Sequence, residues 1–411
     1  MERKKKMSRI GLALEGGGAK GAYHIGAYRA LLEQGICLDG VVGTSIGAIN
    51  GAMIAQGDGE AAWDIWATMQ SSLLFDIDPQ LDAALHRDGL TLEKASRAAA
   101  LARRLIADRG LDTTKIKAFI DTHIDEPRVR ASGMDFGLVT VSLTDRKPLE
   151  LMLDEIPKGK LTDYVLASAS LPGFKTAPLD GRKMVDGGIW NNLPLSLLVD
   201  RGYDSLIAVR TRAVGRLKPT DHFGVPLAVI EPTVPLGPLL DFSETATRKN
   251  LMLGYLDTQR LYCGLRGRRY YIEPHSDREW AFLTLGRLDE TRVRDVGNLL
   301  GIEAVPPKRM LFEHILPKLA EVFRLGDALD YEDLWAALLE SAAERVGLDP
   351  LRIYPIADLA EQIAAAYERP APALQKPILS LAKVTPRLGR LVQKKLLDAL
   401  LDTFFGLRDA D

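Results

Sequence analysis

The residue with the clearest chemical potential is a serine between two glycines, Ser45 in the run Gly43 to Gly47. The apolar pair Val41 and Val42 precedes this GxSxG motif and an apolar stretch follows it, so the pattern predicts a strand, a tight turn and a helix. A serine in such a turn projects its hydroxyl away from the backbone, and the flanking glycines relieve the crowding. The motif predicts a nucleophile supported by Gly43 and Gly47, although GxSxG also arises by chance in glycine-rich chains.

A glycine-rich loop lies upstream of the serine, directly after the apolar run that begins at Ile10. Its residues are Gly16, Gly17, Gly18, Ala19, Lys20 and Gly21. Consecutive glycines between a strand and a helix expose backbone N–H groups that bind an anion, either a phosphate or the oxyanion of a tetrahedral intermediate. The ammonium group of Lys20 adds positive charge at the same place.

The same loop fits the GxGxxG pattern of dinucleotide-binding proteins. That class has an acidic residue at the end of the next strand, whereas here Asp39 precedes the strand and Ser45 follows it. The phosphate-binding Walker A pattern fails as well, because Lys20 has no glycine before it and no serine or threonine after it. Nucleotide binding is therefore the weaker interpretation.

Asp186 is the predicted acidic partner of the serine. A short apolar run ending at Val185 precedes it, and Gly187 and Gly188 follow. An aspartate just past a strand can turn its carboxylate into a site at the edge of the sheet, although Asp-Gly turns are common in ordinary loops. The segment from Ala167 to Pro172, with the pattern ASxxxP, lies between the serine and this aspartate.

These four motifs, in their order along the chain, resemble those of the patatin-like phospholipases, including the bacterial members. The resemblance covers roughly residues 8–275 and implies a three-layer α/β fold with a mainly parallel central sheet, hydrolysis of lipid acyl esters, no metal and no cofactor. It also implies that Ser45 and Asp186 form a Ser-Asp dyad, with Gly187 and Gly188 as support for the aspartate. The predicted oxyanion hole consists of Gly16, Gly17, Gly18, Lys20, Gly21 and Ile46, the residue after the serine.

A serine hydroxyl needs a base to take its proton, and the usual base is histidine. Of the six histidines, His24 follows the glycine loop by one helical turn, and we expect it to pack or to form a hydrogen bond instead of catalysing. Three later histidines follow Asp186 in the order of a hydrolase triad but lack a motif. If Asp186 is the base, its site must be partly desolvated so that its pKa rises toward the operating pH.

Composition indicates an ordinary globular protein, with 411 residues, 46% hydrophobic residues and a formal net charge of −2. This charge excludes a globally cationic nucleic-acid binder, and we expect the basic stretches at 260–269 and 387–395 to be solvated surfaces. Two cysteines are too few for a disulfide framework or a Cys-based zinc site. Without a signal peptide or a long apolar run, the sequence favours a cytoplasmic protein that contacts membranes peripherally at most.

The chain is expected to divide into a catalytic domain at 8–275, with a helical cap inserted at 58–132, and an all-helical region at 276–411. Cap helices are predicted from Ala61 to Gln70, from Leu92 to Ile106 and from Thr114 to Ile124. The last predicted helix, from Arg387 to Leu407, carries an apolar stripe bordered by Lys and Arg. Docking on its own domain or in a homo-oligomer such as a dimer is the favoured interpretation, with a lipid surface as the alternative.

The predicted function is hydrolysis of a lipid or phospholipid ester by a phospholipase A or lysophospholipase type of reaction. Acyl transfer or thioester hydrolysis at the same site stays open, as does a non-catalytic lipid-binding or nucleotide-binding protein. The chain length, headgroup and position of the ester depend on the shape of the pocket, which sequence patterns do not reveal.

Overall fold

The computed structural model describes residues 8–75, 111–175, 177–219, 224–302, 304–325 and 330–366, together with Asp398, Leu401 and Phe405. The chain divides into two compact units, residues 1–261 and 262–411. The cap helix predicted from Leu92 to Ile106 lies outside the described residues, as does most of the helix predicted from Arg387 to Leu407.

A seven-stranded sheet forms the centre of the first unit. In chain order, the strands of this unit are β1 (Ile10–Leu14), β2 (Gly40–Thr44), β3 (Leu111–Asp112), β4 (Asp135–Ser142), β5 (Lys147–Met152), β6 (Phe174–Lys175), β7 (Met184–Asp186), β8 (Ser205–Val209) and β9 (Leu227–Ile230). The order across the sheet is β5-β4-β2-β1-β8-β9, with β7 also pairing with β4, while β3 pairs with β6. The five strands β4, β2, β1, β8 and β9 are parallel to one another, whereas β5 and β7 run antiparallel to β4. The predicted mainly parallel sheet is confirmed.

The helices of this unit cover both faces of the sheet or belong to the cap. In chain order they are α1 (Ala22–Glu33), α2 (Ile46–Ala55), α3 (Gly59–Ala67), α4 (Ser71–Leu74), α5 (Thr114–His123), α6 (Glu126–Ala131), α7 (Leu161–Ser168), α8 (Leu195–Asp200) and α9 (Glu244–Cys263). On one face, Gly51 of α2 lies against Val41 and Phe136. On the other face, the α8 leucines pack with Val42. Because successive strand residues point to opposite faces, Val41 packs against one helical layer and its neighbour Val42 packs against the other.

The described part of the cap contains a strand as well as two of the three predicted helices. α3 and α5 lie where the 3.6-residue pattern placed them, and the two-residue strand β3 pairs in parallel with β6 beyond the cap. A strand this short carries too few residues for an alternating pattern, which is why the sequence predicted helices alone.

The second unit has its own apolar core. Its elements are β10 (Tyr271–Glu273), α10 (Trp280–Gly286), α11 (Glu290–Leu299), α12 (Pro307–Arg309), a π-helical turn (Met310–Ile315), α13 (Leu316–Phe323), α14 (Tyr331–Val346), β11 (Ile353–Pro355) and α15 (Ile356–Ala366). β10 pairs in parallel with β11, so this region is not purely helical. Tyr270 and Ile272 pack in the second core with Tyr354, and the compact units divide after residue 261, whereas the sequence predicts a catalytic domain that extends to 275.

The basic stretch near residue 266 has partners within the second unit. Arg266 forms ion pairs with Asp330, Glu332 and Asp333, and Arg269 pairs with Glu344. These contacts explain the arginines as surface pairs of the fold, in agreement with the expectation of a solvated surface. Among the helices that the structure describes, none has both the length and the apolar composition needed to cross a membrane.

Candidate active site

Ser45 occupies a strained turn between strand β2 and helix α2. Its backbone angles are φ 59° and ψ −125°, a conformation that residues with a side chain rarely adopt and that clusters at functional sites. A Cβ atom at Gly43 would overlap the Gly47 carbonyl, and one at Gly47 would overlap the Leu14 carbonyl. The turn therefore requires glycine at both positions, which matches the predicted elbow.

The end of helix α7 supports this turn through a buried hydroxyl. Ser168 Oγ accepts the backbone N–H of Ser45 at 3.0 Å and donates to the Val139 carbonyl at 2.7 Å. Ser168 is fully buried. The ASxxxP segment thus fixes the backbone of the strained residue to the neighbouring strand β4.

The same segment also fixes Asp186, at the end of the antiparallel strand β7. The Asp186 N–H donates to the Ser170 carbonyl at 2.7 Å, and its Oδ1 accepts the Gly188 N–H at 2.7 Å. Gly187 follows directly and lies against Thr44, the residue before the serine. The aspartate is therefore held beside the serine turn from both sides.

Burial controls the protonation of Asp186, whose side chain is 3% exposed. Loss of water raises the pKa of this carboxyl to about 6, against opposing interactions with the Ser45 hydroxyl and the Gly188 N–H. Among the described residues, Oδ2 has no partner at hydrogen-bond distance. The hydroxyl of Ser45 thus faces a carboxylate that has one free oxygen and a raised basicity.

The glycine loop presents backbone donors next to the serine. The Gly16 N–H donates to the Asn192 carbonyl at 3.0 Å and the Lys20 N–H to the Gly17 carbonyl at 3.2 Å, so both are occupied. Outside the bonds within helices and strands, no backbone acceptor binds the N–H groups of Gly17, Gly18 or Ile46 in the part of the chain that the structure describes. Gly18 and Ile46 are the first residues of the 3-10 turn and of α2, where an N–H group has no acceptor within its own helix. Of the six residues predicted for the oxyanion hole, these three are therefore the candidate donors.

The other predicted loop residues have packing or electrostatic roles. Gly21 lies against Ile46, where a Cβ atom would overlap that side chain. Burial lowers the pKa of the Lys20 ammonium, and the nearby Glu15 opposes this shift. Glu15 is itself buried and accepts the N–H groups of Thr211 and Arg212, which attaches strand β1 to the segment after β8.

Asn192 connects the glycine loop to the aspartate turn, a role that no sequence pattern indicated. Its carbonyl accepts the Gly16 N–H, its N–H donates to the Arg216 carbonyl, and its side chain lies against Gly188. Thr44 Oγ1 also donates to the Asn191 carbonyl at 2.8 Å. The buried Asn-Asn pair that follows the aspartate motif was the available signal for this connection.

His24 is completely buried, and no hydrogen bond joins it to Asp186 among the residues that the structure describes. Burial lowers the pKa of His24 to about 3, and a weaker interaction with the Glu15 backbone opposes that shift. Its Nδ1 lies 3.3 Å from Asn50 Nδ2, so the ring accepts a hydrogen bond from the amide. A neutral, engaged imidazole agrees with the expected packing role.

An apolar cavity of about 50 Å³ opens beside Ser45. Its wall comes from α2, from the cap and from the segments near residues 171 and 240, and it includes Ile46, Ile49, Asn50, Trp66, Met69, Leu74, Phe75, Ile116, Phe119, Leu171, Phe174, Leu240 and Phe242. The sequence favours core packing for the apolar cluster of Trp63, Trp66, Leu73, Leu74 and Phe75. Of these, Trp66, Leu74 and Phe75 are buried and also line this cavity, whereas Trp63 is half-buried and Leu73 is exposed. Such a wall suits a hydrocarbon chain attached to a group at the serine.

No group of three or more His, Cys, Asp or Glu side chains within the described residues is arranged to hold a metal ion. Ser45 and Gly18 line the cavity, and the buried carboxyl of Asp186 interacts with the Ser45 hydroxyl.

This is an α/β protein with a serine turn at the carboxyl edge of its central sheet and a small apolar cavity beside it. Residues 12–199 match the family model described as patatin-like phospholipase. This domain, which includes Ser45, Asp186 and the glycine loop, is a member of the patatin-like phospholipase family.

Known proteins share sequence similarity with about half of the chain. Patatin-like phospholipase domain-containing protein 7 of Mus musculus is 30% identical over 207 residues, which cover 49% of this chain and 13% of that protein. Lysophospholipase NTE1 of Coccidioides immitis is 30% identical over 213 residues, 50% of this chain and 12% of that protein. The aligned segment is thus a small part of both longer relatives. The crystal structure of VipD from Legionella pneumophila aligns with a TM-score of 0.37 and 13% identity, over 100% of this chain and 98% of that chain.

Proposed function

We propose that this protein hydrolyses carboxylic esters of lipids, with Ser45 as the nucleophile and Asp186 as the general base. The observation that carries the proposal is the strained Ser45 turn, held beside a buried aspartate and at the mouth of an apolar cavity. The family membership supports a lipid hydrolase, and the name of the fungal relative, a lysophospholipase, supports phospholipids or lysophospholipids as the substrate class.

The reaction follows from the contacts at the site. Ser45 Oγ attacks the ester carbonyl while Asp186 takes its proton, and the N–H groups of Gly17, Gly18 and Ile46 bind the oxyanion that forms. When the tetrahedral intermediate collapses, the leaving alkoxide receives the proton from Asp186 and an acyl-serine ester remains. Water then attacks this ester, gives its proton to Asp186 and releases the fatty acid, after which Ser45 recovers its proton.

The apolar wall supports a lipid acyl chain as the group bound at the cavity. A substrate of this kind resides in membranes or micelles, so peripheral contact with a lipid surface is part of the proposal. Acyl transfer to an acceptor other than water would use the same acyl-serine intermediate, and product analysis separates the two outcomes.

Ser45→Ala tests the proposal, with Ser341→Ala as the matched control because Ser341 only bonds within helix α14. We expect wild type and the control to release fatty acid from lysophospholipid micelles and to react covalently with a fluorophosphonate probe. Ser45→Ala should do neither, while its circular dichroism spectrum remains that of wild type. Full hydrolysis by Ser45→Ala, or a probe adduct on another serine in wild type, would show that the assigned nucleophile is wrong.

A further inference from the structure

A single buried amide joins three parts of the site. Asn50 lies on α2, five positions after the serine, and its side chain is completely buried. Its Oδ1 accepts the indole N–H of Trp66 at 2.9 Å, and its Nδ2 donates to the Gly21 carbonyl at 2.8 Å. The same Nδ2 lies 3.3 Å from Nδ1 of His24. The helix of the serine, the glycine loop and the cap thus meet at one side chain.

The chemistry of these contacts requires an amide. A primary amide offers two N–H donors and an oxygen acceptor on one short side chain, and here the carbonyl of Gly21 and the ring of His24 use the donors while Trp66 uses the acceptor. The three partners are buried with it, since His24 is 0% and Trp66 2% exposed. Removal of the amide would leave buried polar groups without partners, so its contacts hold each of them in one place.

Trp66 is the part of this network that faces the substrate cavity. Its ring stacks on Phe242 with centroids 6.1 Å apart, and Phe242 in turn contacts Phe75 at 5.7 Å. All three rings line the cavity beside Ser45. A volume of about 50 Å³ is on the order of two water molecules, so the position of these rings limits how many carbon atoms of an acyl chain enter.

Gly21 is the part of this network that belongs to the predicted oxyanion hole. It ends the short 3-10 turn Gly18–Gly21, and the first residue of that turn carries one of the candidate N–H donors. The hydrogen bond from Asn50 to the Gly21 carbonyl therefore fixes the far end of the donor loop relative to the helix that begins after Ser45.

We propose that Asn50 is a positioning residue that couples acyl-chain selection to oxyanion stabilisation, with Trp66 as the residue that determines chain length. The inference rests on the proposed hydrolase function. Trp66 contacts the acyl chain, and the Asn50 amide that binds Trp66 also holds the loop that stabilises the transition state. Neither residue belongs to the four sequence motifs.

Variants of both residues separate the two arms of this network. Trp66→Phe keeps an aromatic ring but removes the donor to Asn50, and Trp63→Phe is the matched control because Trp63 lies on the same helix, outside the cavity, beneath the guanidinium of Arg29. Asn50→Leu keeps the size of the side chain and removes every hydrogen bond. The assay compares kcat and kcat/KM for para-nitrophenyl acetate and decanoate, with the rate of fluorophosphonate labelling as an independent measure of Ser45 reactivity.

We expect Trp66→Phe to change mainly the ratio of kcat/KM for decanoate over acetate, by about tenfold or more, because each additional buried methylene contributes up to about fourfold. Asn50→Leu should change this ratio similarly and should also lower kcat for acetate by about tenfold or more through the displaced donor loop. The double variant should show no further change of the ratio, because both single variants break the same hydrogen bond.

A second variant covers the case in which Asn50→Leu does not fold. Asn50→Asp, assayed at alkaline pH where the carboxylate is ionised, still accepts the Trp66 N–H but offers no donor to Gly21. It should lower kcat and labelling rate while leaving the decanoate-to-acetate ratio close to that of wild type.

The outcomes distinguish this inference from the function on which it rests. Ratios in Trp66→Phe and Asn50→Leu that equal the Trp63→Phe ratio, in enzymes that still hydrolyse esters, would overturn the role of the network. A uniform loss of both activities with an unchanged ratio would indicate a merely structural amide and would also overturn it. Absence of hydrolysis and labelling in wild type would instead refute the proposed function.

Discussion

Ser168 binds the backbone of Ser45 directly. Its hydroxyl oxygen accepts a hydrogen bond from the Ser45 N–H at 3.0 Å, and its O–H donates a hydrogen bond to the Val139 carbonyl at 2.7 Å. A residue at φ 59° keeps that conformation only where its surroundings hold it. Two residues later, the Ser170 carbonyl accepts the N–H of Asp186. One short segment therefore positions both members of the proposed dyad.

Replacement of Ser168 tests this positioning role. Ser168→Ala leaves the Ser45 N–H and the Val139 carbonyl unpaired in the interior, so we expect the free energy of unfolding to fall by about 1–3 kcal/mol. Displacement of Ser45 should lower kcat by about tenfold or more. The matched control is Ser170→Ala, because the Ser170 hydroxyl only bonds back to the Leu166 carbonyl in the last turn of helix α7. Equal kcat values for the two variants, measured on a soluble ester, would contradict the assignment.

The pH dependence of the reaction should report the buried aspartate. Its pKa is raised to about 6, and the proposed base must be ionised to accept a proton, so kcat/KM should decline as the pH falls through about 6. The measurement is kcat/KM for a soluble ester between about pH 4 and pH 8. A profile that stays flat down to pH 4 would mean that the ionisation of Asp186 does not limit the rate.

Asp186→Asn should separate activity from stability. Loss of the base lowers kcat by about 10²-fold or more. Because the folded state raises the pKa of this acid, ionisation opposes folding above pH 6, and a shift from 3.8 to about 6 corresponds to about 3 kcal/mol at most. The variant should thus unfold at a higher temperature than wild type at pH 7, and the gain should shrink as the pH falls through 6 and vanish below pH 3.8, where both states come to hold the proton. Equal melting temperatures at pH 7 would refute the raised pKa.

His24→Ala provides the complementary test of the base. The pKa of His24 is lowered to about 3 and its Nδ1 is engaged with Asn50, so we expect kcat to fall far less than the roughly 10²-fold loss typical of a general base. The buried ring leaves a cavity, and stability should fall by about 2 kcal/mol or more. A loss of rate larger than that of Asp186→Asn would replace the dyad with a histidine-assisted mechanism.

The strands and helices near the serine could be predicted because they follow local rules. β1, β2 and α2 carry apolar runs bounded by glycine turns, and Gly43 and Gly47 are dictated by backbone crowding that the sequence makes visible. The resemblance to a family added the order of the motifs, and with it the proximity of Ser45 and Asp186.

The supporting contacts could not be predicted because they join residues far apart in the chain. Ser168 and Asn192 reach Ser45 and Gly16 across more than a hundred positions, and nothing in their local pattern indicates the partner. Trp66 gave a correct prediction of burial, but periodicity does not tell whether a buried ring faces a core or a cavity. The pairing of Tyr271 with Ile353 could not be predicted either, because it depends on the tertiary fold of the second unit.

The last predicted helix should stabilise the second unit. Leu401 is 2% exposed within the core that contains Trp335, and the ring of Phe405 lies 5.9 Å from that of Trp335. These contacts favour docking on the same chain over a lipid surface. Removal of residues from 387 onward should therefore lower the free energy of unfolding by about 3–6 kcal/mol, since each large apolar side chain contributes about 1.5–3 kcal/mol.

A single substitution within this helix avoids the ambiguity of truncation. Leu401→Ala should lower the free energy of unfolding by about 2–5 kcal/mol, whereas Leu283→Ala, at a position in the second unit that is 40% exposed, should change it little. Hydrolysis of a soluble short-chain ester should survive in both, because Ser45 and Asp186 lie in the first unit. If Leu401→Ala left stability unchanged but reduced binding to anionic vesicles, the apolar stripe would face lipid, because a side chain buried in the protein core contributes nothing to a membrane contact.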